Sequence, residues 1–285
     1  MAEDVKNQPS DGANPDTNQD DVKDKGSKTF TQEELGKKLS EERKKELSDF
    51  WRGFVKPLAF LIPPFAILYF IQNHLSVCLV IGAITSVMML IAGTRLIYFV
   101  LTGGAGIAAV AIYLFHGQLG DTSDNFRLDR IKTFFDPWSD AAGTGYQMIQ
   151  SLYAIGSGGL FGVGLGQSKQ KYLYIPEPQN DFIFAILAEE LGFIGCAIVI
   201  LLFAVFVWRG ILISMKSDDM YGSLLAIGVT TLVAVQVIIN IAVVTASIPT
   251  TGMPLPFFSY GGTALVLLLA SCGVLLNISR STEKV

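Results

Sequence analysis

The sequence has little charge, few cysteines and no signal-peptide pattern. Charged residues make up 16% of the chain and hydrophobic residues 51%, a balance that places it among membrane proteins rather than soluble ones. Cys78, Cys196 and Cys272 are odd in number and widely spaced in apolar runs, so they predict neither a disulfide framework nor a zinc site. The first residues lack the basic and apolar regions of a signal peptide, so we expect the first apolar span to direct insertion.

The charge that is present is concentrated at the N-terminal end, because residues 1–50 carry the whole net charge of −4. Residues 1–29 are polar and have almost no large apolar side chain, so we expect a disordered tail. Thr31 to Glu34 has the pattern of a capping box and introduces an amphipathic lead-in helix over residues 30–55. A helix in solvent or on the membrane surface and a dedicated partner site are the two interpretations. Residues 281–285 form a short C-terminal tail.

Long apolar runs dominate the remainder, and six of them are long enough, or nearly long enough, to cross a bilayer. They cover approximately residues 57–73, 76–94, 96–115, 183–208, 221–246 and 260–278. The predicted fold class is therefore all-α, a polytopic transmembrane helix bundle of about six spans, with a membrane domain over residues 56–280. Pro63 and Pro64 should kink the first span.

Basic residues next to the spans predict the orientation of the chain. Four groups fall on one side of a six-span topology: Lys44 to Lys56, Arg95, Arg209 with Lys216, and Arg280 with Lys284. The positive-inside rule makes that side cytoplasmic, so both termini should be cytoplasmic and the loop over residues 116–182 should lie outside. Loops of more than roughly 60 residues are exempt from the rule, which accommodates the basic residues of this loop.

The long loop contains two kinds of segment. Residues 127–138 alternate charged with apolar side chains and end in Phe134, Phe135 and Trp138, a pattern typical of a segment at the bilayer interface. Either an interfacial anchor or a segment that handles an anionic lipid fits it. Residues 143–195 are rich in glycine and then carry basic and acidic groups, which are the groups used for binding sugars and phosphates and for proton transfer.

Motifs in order along the chain resemble the SEDS family, the shape, elongation, division and sporulation proteins. The matching stretches include Phe135–Trp138, Gly143–Gln150, Gly164–Lys171, Pro176–Glu177, Asp181–Ala185, Glu189–Gly192, Pro254–Pro256, Phe258–Gly262 and Asn277–Arg280. Members of the family are peptidoglycan glycosyltransferases of the bacterial cell membrane that polymerise lipid II. The resemblance covers about residues 54–280, and the six spans look like the last six of the ten family helices.

The resemblance implies a site around Asp181, the position of the catalytic acid/base of the family. Growth of a glycan strand requires the acceptor hydroxyl to lose a proton, and Asp181 would be the general base. Lys169, Lys171, Arg127 and Arg130 are candidates for binding the leaving diphosphate. Further candidate substrate-binding residues are Gln167, Ser168, Glu177, Glu189, Glu190, Ser259 and Tyr260. No cofactor is evident, and a divalent cation such as Mg²⁺ is compatible with the chemistry.

The partners implied by the resemblance are lipid II, a class B penicillin-binding protein with transpeptidase activity, other divisome or elongasome membrane proteins, and membrane lipids. Nucleic acid is not among them. Two alternatives to the enzyme stay open: a non-catalytic membrane scaffold or regulator of the cell-wall machinery, and a transporter (flippase) of the lipid-linked precursor.

Several residues have a simpler interpretation. Asp181 could cap the helix that follows it, and Gln236 and Asn240, at i and i+4, are expected to form interhelical hydrogen bonds. If the helix begins near Asp181, Glu189 should lie one to two turns deeper in the membrane. His74 stands where the family has a hairpin acid, and is either an interfacial turn residue or a proton acceptor. The first four helices of the family have no counterpart in this sequence.

Overall fold

A computed structural model describes residues 41, 44, 45 and 48 and then the chain from residue 50 to residue 282, with gaps at 72–74, 105–125, 144, 173–174 and 176–177. Side chains of residues 69, 70, 75, 126–129, 131 and 282 are also outside the description. The predicted disordered tail, most of the lead-in helix, the C-terminal residues 283–285, His74, Glu177 and the side chain of Arg127 therefore lie outside the described residues. Ser48–Val285 form one structural unit.

The described part of the chain contains helices and no strands, which confirms the all-α class. Helix α1 is Lys56–Ala66, between π-helical turns Trp51–Val55 and Ile67–Ile71; α2 is Leu75–Ile91; α3 is Phe126–Phe135, followed by a 3₁₀ turn at Pro137–Asp140; α4 is Tyr146–Gly158; α5 is Ile183–Lys216; α6 is Met220–Val244; and α7 is Gly262–Thr282. Residues 96–104 are helical as well.

Three of these helices are long and apolar enough to cross a membrane, namely α5, α6 and α7. They coincide with the last three predicted spans. In α2 the apolar helical stretch Ser76–Ile91 is shorter, and the third predicted span continues from residue 104 into residues outside the description. The count of six spans therefore stays a prediction, whereas a helical membrane bundle is what the described helices form.

The two prolines of α1 change the helix type. Pro63 and Pro64 have no N–H to donate, so the helical ladder is interrupted at both positions. The N–H of Ile67 donates to the carbonyl oxygens of both Pro63 and Pro64. The chain then continues through Ile71 as a π-helical turn. The prolines thus widen the helix directly after them.

Helices α5 and α6 pack antiparallel, and small polar residues set their register. The Ser214 hydroxyl donates to the Ser223 carbonyl oxygen at 2.9 Å, and the Ser223 hydroxyl donates to that of Ser214 at 2.8 Å. Further along, Gly210 lies so close to Thr230 that a Cβ would overlap its side chain. Small residues that bring two backbones together are the usual contact between membrane helices. The main hydrophobic core includes Phe184, Val199, Phe203, Val233, Val237 and Leu255.

Helix α5 is broken at Gly192, whose φ of 66° and ψ of −167° are not helical. As one straight helix, its 34 residues would be roughly 51 Å long, well beyond the ~30 Å hydrocarbon core of a bilayer. The glycine-rich loop supplies hydrogen bonds to the broken turn. Val163 and Gly164 donate to the carbonyl oxygens of Glu189 and Glu190 at 2.9 and 3.0 Å; Phe193 and Ile194 donate to those of Gly159 and Leu160 at 2.9 and 3.2 Å.

The packing of α5 against α6 relates Asp181 to the second segment of α5. Both helices rise about 1.5 Å per residue in opposite directions, so the pairs Ser214–Ser223 and Gly210–Thr230 place Asn240 near Val199. Asn240 is hydrogen-bonded to the Asp181 backbone. Glu189 lies at the opposite end of the first segment of α5, beside the glycine-rich loop. The expectation that Glu189 lies one to two turns deeper in the membrane than Asp181 stays a prediction.

Candidate functional site

Asp181 is the half-buried residue two positions before α5. Phe182, and not Asp181, occupies the N-cap position of α5, and the Phe182 side chain makes no capping hydrogen bond. Its carboxylate faces Gly252, where an added Cβ would lie 3.3 Å from Oδ2. Gly252 has a φ of +67°, a conformation that other residues rarely adopt. Glycine thus allows the irregular segment after α6 to approach the carboxylate.

Asn240 fixes the main chain at Asp181. Its Nδ2 donates to the Asp181 carbonyl oxygen at 2.8 Å and to the Met253 carbonyl oxygen at 2.7 Å. The side chain is 1% exposed, and buried amides of this kind contribute most when each hydrogen is bonded. The expected interhelical hydrogen bonds are not what Asn240 forms, because both of its partners lie in non-helical segments. Gln236, one turn earlier, is partly exposed.

The segment before α7 is bonded to the residues that lead into Asp181. The Ser259 hydroxyl donates to the Asn180 carbonyl oxygen at 2.5 Å and accepts from the Leu255 N–H at 2.7 Å. The Tyr260 N–H donates to the Gln179 carbonyl oxygen at 2.9 Å, while the Tyr260 side chain is 81% exposed. Ser259 therefore positions the backbone next to Asp181.

Two further elements reach the same segment after α6. Arg130 of α3 donates from Nη1 to the Thr250 carbonyl oxygen at 3.1 Å. Ser76 of α2 donates from its hydroxyl to the Thr251 carbonyl oxygen at 3.1 Å. Burial lowers the pKa of the Arg130 guanidinium from its usual value, and an arginine side chain in a protein stays protonated. The Arg130 cation, the Ser76 hydroxyl and the Asp181 carboxylate thus all lie against Thr250–Gly252. We call this group of residues the Asp181 site.

A second polar cluster lies where the glycine-rich loop meets the first segment of α5. Glu189 is 3% exposed; it accepts from the Ser168 hydroxyl and from the N–H groups of Lys169 and Gln170 at 3.1 and 3.3 Å. Glu190 accepts from the Ser168 N–H at 3.3 Å and pairs with Lys171 Nζ at 3.0 Å. The Lys171 ammonium also donates to the Gly166 carbonyl oxygen at 2.5 Å. We call this the Glu189 turn.

The candidate site residues therefore divide into two groups. The Asp181 site contains Asp181, Arg130 and Ser259, and the Glu189 turn contains Ser168, Lys171, Glu189 and Glu190. The side chains of Gln167 and Lys169 are exposed beside that turn. Sequence reasoning missed Ser76, Thr250 and Gly252 as parts of the Asp181 site, although the glycine among the prolines after α6 was a signal for close backbone approach. Among the residues with described positions, no cluster of three or more His, Cys, Asp or Glu could hold a metal ion.

A half-buried carboxylate beside a fixed cation can accept a proton from a hydroxyl group while the cation stabilises a departing anion. The Asp181 site has these two groups on a helical membrane scaffold. Its surroundings are apolar on the α5 side, where Phe182, Phe184 and Leu255 are buried.

Comparisons with known proteins agree with this description. Residues 32–284 match the FtsW, RodA and SpoVE family of cell cycle proteins, and the chain belongs to that family. It is 49% identical over 247 residues to stage V sporulation protein E of Bacillus subtilis, covering 86% of this chain and 65% of that protein. It is 43% identical over 212 residues to a probable peptidoglycan glycosyltransferase FtsW of Trichlorobacter lovleyi, covering 74% of this chain and 54% of that protein. The chain thus spans about half to two thirds of the length of these relatives.

Solved structures share the fold. A chain of a peptidoglycan synthase complex matches with a TM-score of 0.65 at 24% identity, over 81% of this chain and 63% of that chain. A mutant of the rod shape determining protein RodA of Thermus thermophilus matches with a TM-score of 0.53 at 22% identity, over 82% and 58%. The SEDS resemblance and the helical membrane fold predicted from the sequence are confirmed.

Proposed function

We propose that this chain is a peptidoglycan glycosyltransferase that polymerises lipid II into glycan strands during bacterial cell-wall synthesis. The observation that carries the proposal is the Asp181 carboxylate, held against Gly252 by a backbone that Asn240 and Ser259 anchor. Family membership supports the reaction class, since the Trichlorobacter lovleyi relative is named as a probable peptidoglycan glycosyltransferase. Division, elongation or sporulation is the cellular process that this activity would serve.

In this proposal Asp181 is the general base. The acceptor sugar hydroxyl attacks the anomeric carbon of a sugar on a polyprenyl diphosphate; its oxygen forms the new glycosidic bond and its proton passes to the Asp181 carboxylate. The bond from the anomeric carbon to the diphosphate oxygen breaks, and the diphosphate leaves with the electron pair. A well-placed general base contributes roughly 10²–10⁴-fold to such a step.

The departing diphosphate requires cations, and the two groups of basic residues fit this requirement differently. Arg130 donates from Nη1 to the Thr250 carbonyl, two residues before Gly252, and we assign its guanidinium to the developing charge. Lys169 has an exposed side chain beside the Glu189 turn and can approach the ligand from the loop. Lys171 is paired with Glu190, and we assign it to holding the loop. Mg²⁺ bound to the diphosphate would supply further charge stabilisation.

The proposed setting is the bacterial plasma membrane, with both termini cytoplasmic and the loop over residues 116–182 outside. The proposed partner is a class B penicillin-binding protein, which would crosslink the strands that this chain makes. Its support is the fold shared with a chain of a peptidoglycan synthase complex that coordinates polymerization and crosslinking.

Polymerisation of lipid II in proteoliposomes, with the cognate penicillin-binding protein present, tests the function. Wild-type protein should lengthen glycan strands on a gel, and Asp181→Ala should lower the rate by about 10²-fold or more. Asp218→Ala is the matched control, because Asp218 is an exposed carboxylate between α5 and α6. Equal rates in wild type and Asp181→Ala would contradict the assignment of the base. No polymerisation by either protein would favour a scaffold, and lipid movement without polymerisation would favour a transporter.

A further inference from the structure

An apolar cavity lies against the second segment of α5, where the segment before α7 crosses it. The cavity has a volume of about 220 Å³ and is lined by Val199, Leu202, Phe203, Phe206, Phe257 and Phe258. All six side chains are hydrocarbon, so water gains no hydrogen bond there. Leu202 is 63% exposed and lies on the flank of α5 that presents apolar side chains outward. The cavity is therefore accessible from the surface that would face lipid.

Phe257 lines this cavity with an unusual backbone. Its φ is +67°, which is a rare conformation for a bulky residue, and such conformations concentrate at ligand sites. The Phe257 ring contacts Phe203 and Phe206 at centroid distances of 6.4 and 6.1 Å, and the Phe258 ring contacts Phe203 at 6.1 Å. The strained turn thus places two neighbouring aromatic rings side by side along α5, which a relaxed chain would not do.

The same turn connects the cavity to the Asp181 site. Ser259 follows Phe258 directly, and its hydroxyl is bonded to the Asn180 carbonyl, one residue before Asp181. Phe182, which follows Asp181, belongs to the same core cluster as Val199 and Phe203, which line the cavity. A ligand whose polar end lies at Asp181 can therefore continue into the cavity with its apolar part.

We propose that this cavity binds the first isoprene units of the polyprenyl chain on a lipid-linked sugar substrate. The proposal rests on the glycosyltransferase function above and specifies how its site holds the apolar end of the substrate. The volume favours a short piece of chain, since it is below the ~300–1,000 Å³ of pockets that enclose drug-sized ligands.

Photo-crosslinking in nanodiscs tests the proposal without turnover. The probe is lipid II with a diazirine in its second isoprene unit, and the comparison probe is phosphatidylglycerol with a diazirine on an acyl chain. We expect the lipid II probe to label residues 199–206 and 257–258, and unlabelled lipid II to remove the label. Equal labelling by both probes, with no competition by lipid II, would mean that ordinary bilayer lipid fills the cavity and would overturn the proposal.

Two neighbouring leucines provide a matched pair of variants. Leu202→Trp fills the cavity, whereas Leu201→Trp adds the same side chain at a position that is equally exposed, 62% against 63%, and does not line it. We expect Leu202→Trp to reduce labelling by about tenfold through loss of apolar contact, and Leu201→Trp to leave it unchanged. Equal labelling of the two variants would contradict the proposal.

Asp181→Ala separates this inference from the proposed function. The variant should keep the labelling of the cavity while losing polymerisation, because the isoprene units do not contact the carboxylate. If wild-type protein polymerises lipid II and the cavity is unlabelled, the cavity proposal is wrong and the function stands. If the cavity is labelled in competition with lipid II and no strand is made, the lipid site stands and the proposed glycosyltransferase function is wrong.

Discussion

The two ends of the first segment of α5 carry carboxylates in contrasting surroundings. At one end Glu189 is buried and surrounded by donors from Ser168, Lys169 and Gln170. At the other end Asp181 is held through its backbone by Asn240, and its carboxylate faces the glycine of a neighbouring segment. A carboxylate encircled by N–H and O–H groups stabilises a loop. A carboxylate whose main chain is anchored beside a residue with no side chain can be approached closely by the neighbouring segment.

The largest stability effect should come from Asn240→Ala, which removes the anchor of the Asp181 site. Two buried carbonyl groups, those of Asp181 and Met253, would each lose a donor at a cost of about 1–3 kcal/mol. The free energy of unfolding in mixed micelles should fall accordingly, and polymerisation should fall with it. Gln236→Ala, one turn away on the same helix, is the control. Unchanged stability in Asn240→Ala would contradict the anchoring role.

Glu189→Gln should have the next largest effect, and it acts on the other carboxylate. The amide keeps the shape of the side chain but has one acceptor atom fewer for the three donors, so unfolding should become easier by about 1–3 kcal/mol. The Asp181 site should be affected only indirectly, and KM for lipid II should change more than kcat. A large loss of kcat at unchanged stability would place Glu189 in the chemistry and break the contrast between the two carboxylates.

Gly252→Ala should have a smaller effect on stability and a specific effect on activity. A side chain at a φ of +67° costs about 1–2 kcal/mol, and the new Cβ would lie 3.3 Å from the Asp181 carboxylate. We expect polymerisation to decrease more than the change in thermal midpoint alone explains. Gly159→Ala is the control, because Gly159 also has a positive φ and has open space around it. If both variants polymerise equally well, Gly252 only relieves backbone strain.

Lys171→Met should have the smallest effect. The ion pair with Glu190 is partly exposed, with 28% and 15% of the two side chains accessible, and such pairs contribute about 0–1 kcal/mol. Polymerisation should change little if Lys171 only holds the glycine-rich loop. A rate that falls by more than about tenfold, beyond what loss of a surface pair explains, would assign Lys171 to the diphosphate instead.

Much of this architecture was predictable from the sequence because it depends on composition and on ordered motifs. The apolar runs identified α5, α6 and α7, and the motif series identified the family and the candidate base. The register and depth were not predictable in the same way. Gly192 is one of 28 glycines, and nothing in its own motif marks it as the residue where α5 is broken. The length of α5, longer than a bilayer requires, was the available signal.

The Asp181 site was harder to assemble for a related reason. Arg130, Ser76 and Gly252 are far apart in the sequence. Arg130 and Ser76 donate to the backbone carbonyls of Thr250 and Thr251, which directly precede Gly252. A carbonyl acceptor has no residue-type signature, so sequence patterns show only the donor side of such contacts. Asn240 was identified because a buried amide on an apolar helix stands out, whereas its partners could be any two residues.

The break at Gly192 also bears on how a charged group can reach the interior of a membrane protein. Residues 193–208 contain no charged side chain, so the translocon meets an uninterrupted apolar segment; an aspartate at the centre of that segment would add roughly 2.5–3.5 kcal/mol to the free energy of insertion. Asp181 lies instead on the chain that precedes α5 and is bonded through its backbone to Asn240 of α6. The backbone groups exposed at the break are bonded to the glycine-rich loop, as hydrocarbon surroundings require. Membrane insertion thus depends on the apolar residues after Gly192, whereas the proposed chemistry depends on the residues before it.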